Sequence, residues 1–75
     1  MAIKYPNLAA EIARTGISYG DVYATAADSV GKTVDTVSNW VSGRAGELPV
    51  VAAFAIRDKH FPQLSIDYLF STKPL

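Results

Sequence analysis

The sequence predicts an all-α domain, a compact unit of five short helices. Three observations predict it. Glycine and proline divide the chain into five segments of helical length. Apolar residues within those segments recur three and four apart, and no stretch alternates apolar and polar residues beside a hairpin turn. Repeats, low-complexity tracts and flexible linkers are absent. At 75 residues the chain is expected to form one domain over 1–75, with no room for a second. A chain this short buries only a little over ~60% of the surface its unfolded form exposes, so modest stability is expected. Hydrophobic residues make up 49%, enough for a real core and too many for a disordered chain.

The first helix is expected to start near Pro6, where a proline's missing N–H costs nothing. Tyr5, Leu8 and Ile12 form its apolar face, and Gly16 supplies a left-handed cap after Arg14. The second helix opens at Ser18-Tyr-Gly-Asp21, a capping-box spacing with Asp in place of Glu. Val22, Tyr23, Ala26, Ala27 and Val30 form its stripe, and Gly31 ends it. Thr33 is the expected N-cap of a third helix, whose Val37, Trp40 and Val41 face inward until Gly43 stops it. The fourth begins at Pro49 and runs toward His60, ending before Pro62. Its first half, Val50 to Ile56, is apolar almost all round, where a helix of a small monomer needs one such face. A final short helix, capped by Ser65, carries Ile66, Leu69 and Phe70 back onto the core.

Composition excludes several classes. The absence of cysteine removes disulfides, thiolate metal sites and a cysteine nucleophile, and fits a cytoplasmic location. The opening residues contain no apolar signal segment, and the longest apolar run, Leu48 to Ile56, is too short to span a bilayer. His60 is the only histidine, so no histidine metal cluster forms; it reads as a charge at a helix C-terminus rather than a catalytic base. Gly31-Lys-Thr33 looks like the end of a phosphate-binding P-loop, but Ala26 stands where that motif needs glycine and no strand precedes it. No catalytic constellation emerges. The chain is not expected to be an enzyme, and no cofactor or small-molecule ligand is implied. Seven Lys or Arg balance seven Asp or Glu, giving zero formal charge, whereas nucleic-acid binders are typically basic. A neutral chain can still carry a local basic patch.

The most informative stretch is 26–44. Two helices meet there at a tight turn of Gly31, Lys32 and Thr33. Ala27, four residues before Gly31, lets the helices cross closely, and Val37, six after it, locks the crossing. Those are the demands of a helix-turn-helix, whose second helix projects a polar face into the major groove. The segment resembles the Cro-like and phage-repressor class of helix-turn-helix DNA-binding proteins, through Gly31, Thr33, Thr36-Val-Ser38, Trp40 and Gly43-Arg44. The tail from Ile56 to Phe70 and the opening Tyr5-Pro-Asn-Leu8 are similar to small phage-encoded members. The resemblance thus covers about Tyr5 to Phe70, and implies the lambda-repressor-like five-helix fold. It departs in one place: the interval from Gly16 to Gly31 is about one helical turn longer than is usual in the family. Either the second helix or the loop before it takes up that length.

By position, the resemblance implies that Lys32, Thr33, Ser42 and Arg44 sit near phosphates, and Val34, Asp35, Ser38 and Asn39 near base edges. The chemistry suits those places. Asn can pair bidentately with adenine, Asp can accept from cytosine N4, and Val can touch a thymine methyl. The N-termini of the second and third helices offer free N–H groups to phosphates. Equally, short polar residues are ordinary on an exposed helix face, and Asp35 can simply complement the helix dipole. Trp40 belongs with the core, in the stripe of Val37. The expected function is sequence-specific binding of double-stranded DNA in transcriptional regulation. One domain reads few base pairs, so a homodimer on a pseudo-palindromic operator is implied. The surplus apolar face of the fourth helix offers Val51, Phe54 and Ala55, or a subset, to a second chain. The alternative is a helix-turn-helix scaffold that binds a protein, such as a repressor or antitoxin partner; zero net charge and the acids Asp28 and Asp35 near the turn favour it.

Overall fold

The computed structural model describes residues 4–73, an all-α fold of five helices: α1 Pro6–Thr15, α2 Tyr19–Val30, α3 Val34–Ser42, α4 Val50–His60 and α5 Ile66–Leu69. Local chemistry sets the boundaries. Pro6 stands at the first position of α1, and the Gly16 N–H returns to the Ile12 carbonyl at its end. The hydroxyls of Ser18, Thr33 and Ser65 each accept the backbone N–H three residues on, giving α2, α3 and α5 a side-chain cap. Pro49 precedes α4 as its cap residue, so the helix proper begins at Val50. The link between α1 and α2 is only Gly16, Ile17 and Ser18, so the long interval to Gly31 is taken up by α2, a helix of 12 residues.

Each helix contributes one side to a single core. Leu8 and Ile12 of α1, Val22, Ala26 and Ala27 of α2, Val37 and Val41 of α3, Ala52 and Ile56 of α4 and Leu69 of α5 are buried together with Tyr5 and Phe61. α2 is the hub, packing on both α3 and α4, while α5 closes over α1 and α4. Alanine at positions 26, 27 and 52 permits close approach at those crossings. Tyr23, Val30, Trp40, Tyr68 and Phe70 surround the core half-buried. Ile66 is also half-buried, on the wall of an outer groove rather than in the core cluster.

Polar ties hold the termini and the α2–α4 contact. The buried Asn7 side chain donates to the Tyr68 carbonyl at 3.0 Å, and Tyr68 donates its phenol to Glu11 Oε2 at 2.8 Å. Thr25 Oγ1 donates to the Asp21 carbonyl and lies 2.9 Å from His60 Nε2. With the hydroxyl proton so used, the imidazole donates through Nε2–H, and the only histidine pins α4 to α2. No buried side-chain nitrogen or oxygen among the described residues lacks a partner. None of their helices is long and apolar enough to cross a membrane.

Candidate nucleic-acid interface

The turn between α2 and α3 is built from backbone geometry first. Gly31 takes a left-handed φ of 67°, a conformation a side chain would strain, and its N–H and that of Lys32 both return to the Ala27 carbonyl. The chain is then extended at Thr33, whose Oγ1 accepts from the Thr36 N–H at 3.3 Å and lies 3.1 Å from the Thr36 hydroxyl. Only three residues therefore separate α2 from α3, which starts in a fixed orientation.

Burial divides α3 in two. Val37 and Val41 are wholly buried, and Trp40 is half-buried against the core. The candidate base-contacting residues lie on the uncovered side: Val34 and Asp35 are exposed, and Ser38 and Asn39 are half-buried. Val34 is the one large apolar residue on that side, 41% exposed. Of the candidate phosphate contacts, Lys32, Thr33 and Arg44 are exposed. Ser42 is half-buried and donates its hydroxyl to the Asn39 carbonyl at 3.2 Å. That carbonyl also receives the N–H groups of Gly43, Arg44 and Ala45, which fixes the path of the chain out of α3. Lys32 and Arg44 thus stand at opposite ends of the α3 face, and neither makes an ion pair among the described residues. Asp28 in the last turn of α2 and Asp35 in the first turn of α3 bracket Lys32 in sequence, so the turn is not strongly basic.

Two features of this end of the molecule were not legible in the sequence. Gly46, with φ of 63°, lies against the indole of Trp40: a Cβ there would meet Nε1 at 3.1 Å. Any larger residue would displace the ring edge as well as strain the backbone. Lys4 is the second. Its N–H donates to the Val41 carbonyl at 2.8 Å, tying the segment before α1 to the end of α3, and its ammonium pairs with Glu47 at 3.1 Å. No local pattern signals a contact between residues so far apart.

The proposed self-association face lies elsewhere, on α4. Val51 and Phe54 are exposed, Ala55 is half-buried, and Val50, outside the sequence-derived set, is the most exposed of the group at 69%. Beside them runs an open groove of about 310 Å³ between α4, α5 and Tyr5, lined by Leu48, Ala53, Phe54, Ile66, Asp67 and Phe70. No cluster of His, Cys, Asp and Glu able to hold a metal occurs among the described residues. Comparison with known proteins finds no matching family model, no matching curated protein and no matching solved structure.

Proposed function

We propose that this chain is a sequence-specific regulator of transcription of the phage-repressor or Cro-like kind. In this reading α2, the Gly31–Thr33 turn and α3 form a helix-turn-helix that binds double-stranded DNA. The observation that carries it is the division of α3: Val37 and Val41 are wholly buried, while Val34 and Asp35 are exposed and Ser38, Asn39 and Ser42, on the same side of the helix, are half-buried. A capped helix held out on its own core residues is what insertion into a major groove requires. Asn39, Ser38, Asp35 and Val34 then read base edges, and Lys32, Thr33, Ser42 and Arg44 meet phosphates.

The length of the reading helix supports a dimeric mode. At 9 residues α3 is about 14 Å long, far less than the ~34 Å between successive major grooves on one side of the duplex. One copy therefore reaches one half-site, and two copies related by a twofold axis would read an inverted repeat. The test is selection of bound duplexes from a random pool at physiological salt. An inverted repeat with half-sites about one helical turn apart is expected. Asn39→Ala should then relax preference at one position by about 1–3 kcal/mol, and Lys32→Ala should weaken all sequences alike.

A second reading, a scaffold that binds a protein partner, is favoured by the balanced charge and by Asp28 and Asp35 flanking Lys32. Salt separates the two. Each phosphate contact contributes a slope of about 0.9 to the fall of log K with log salt, whereas a partner held on an apolar helix loses little. Recovery of no duplex above background would put the protein partner first.

A further inference from the structure

Lys4, just before α1, meets the C-terminal end of α3. Lys4 N–H donates to the Val41 carbonyl at 2.8 Å, and Lys4 Cβ lies 4.0 Å from where a Cβ on Gly43 would stand. Gly43 and Arg44 follow directly on the last residue of α3, so Lys4 and Arg44 both stand at the C-terminal end of that helix. Its ammonium lies 5.9 Å from the centre of the Tyr5 ring, and the side chain is 25% exposed. The counter-ion differs. Glu47 is 82% exposed and sits between α3 and α4. The Lys4 backbone is thus fixed to α3 and its ammonium has the Tyr5 ring at the edge of its reach, while its partner carboxylate is open to water; a pair with so exposed an acid is weak enough for another anion to displace that acid.

Resting on the DNA-binding reading above, we propose that Lys4 is a further phosphate contact, and that Glu47 restrains binding by competing with the phosphate for its ammonium. Lys32 and Lys4 with Arg44 would then bracket the recognition surface at its two ends. Glu47 then sets how much of the attraction at the C-terminal end of α3 is available.

The test measures affinity for a mixed-sequence duplex and for the selected duplex across a salt series, because phosphate contacts act on both. Lys4→Ala should weaken binding to both and flatten the salt slope by about 0.9 for each copy bound. Lys4→Gln, which keeps the stem over Tyr5, should do the same, and unchanged helicity and Trp40 fluorescence would exclude a folding defect. Glu47→Gln should strengthen binding several-fold, and most of that gain should vanish in the Lys4→Ala background. An unchanged slope in Lys4→Ala, or an equal gain from Glu47→Gln with and without Lys4, overturns the proposal. In either of those cases the duplex is still bound and the DNA-binding reading stands. A wild-type protein that binds neither duplex overturns both.

Discussion

Glu11 is a buried acid whose two oxygens serve two partners. Oε1 accepts from the Arg14 guanidinium, one turn along α1, and Oε2 accepts from the Tyr68 phenol at 2.8 Å. The hydrogen bonds from Arg14, and next the one from Tyr68, hold the Glu11 carboxyl below its ordinary value of 4.5. The hydrogen bond to Glu11 in turn pushes the Tyr68 phenol above 10.0. A carboxyl depressed in the folded state contributes stability above its unfolded pKa and loses it as pH falls through the folded value. A phenol raised in the folded state does the reverse: its contribution is complete below the unfolded pKa and is lost as pH rises through the folded one. The urea midpoint should therefore fall as pH drops below 4.5, and fall again on the alkaline side above 10.0. Glu11→Gln should flatten the acid limb, and Tyr68→Phe should remove this contribution to the alkaline limb. If wild type and Glu11→Gln lose stability in parallel through acid, the network is not what the acid disrupts.

Helix ends govern the next scale, because α3 is short, 9 residues, and depends on its start. Thr33→Ala removes the acceptor of the Thr36 N–H and should cost about 1 kcal/mol, with Thr33→Ser restoring most of it. Urea unfolding followed by the fluorescence of the only tryptophan, Trp40 in the same helix, measures both. Unchanged stability in Thr33→Ala would mean that packing of Val37 and Val41 alone holds the helix. The caps at Ser18, Thr33 and Ser65 and the stops at Gly16, Gly31 and Gly43 were legible in the sequence because each acts within four residues of itself. The burial of Val37 and Val41 was legible for the same reason, as a helical period. The ties from Asn7 and Glu11 to Tyr68 were not, since they depend on how α5 lies across α1. The same holds for Lys4 on Val41 and Gly46 on Trp40, where a contact follows from the path of a loop. The Glu11–Arg14 spacing of three was visible in principle, but nothing local marks that acid as buried.

For the whole molecule, the sequence signalled more apolar surface on α4 than one core needs, and the structure divides it. Ala52 and Ile56 turn into the core and Ala53 is buried on the wall of the groove; Val50, Val51 and Phe54 are left exposed. Ala55 is half-buried, so Val50 takes its place on the outer face, a distinction the all-round apolar pattern could not make. Arg57 lies over the Phe54 ring at 5.6 Å, bounding the patch with a cation. If this face joins two copies, Val51→Glu, at a residue 60% exposed, should leave folding nearly unchanged and abolish self-association; Phe54→Glu should do the same at some cost in stability, since Phe54 is only 42% exposed. Sedimentation at about 100 micromolar checks it, because a dissociation constant of that size needs only about 5.5 kcal/mol of association free energy. Wild-type monomer at that concentration removes the α4 dimer in the absence of DNA. Wild-type dimer with Phe54→Glu still dimeric moves the contact to another face. Dimer in wild type and monomer in both variants locates it on α4. The variants should then bind an inverted repeat no more tightly than a single half-site, because only a rigid pairing of two copies lets the second α3 enter the next groove without a second full cost of association.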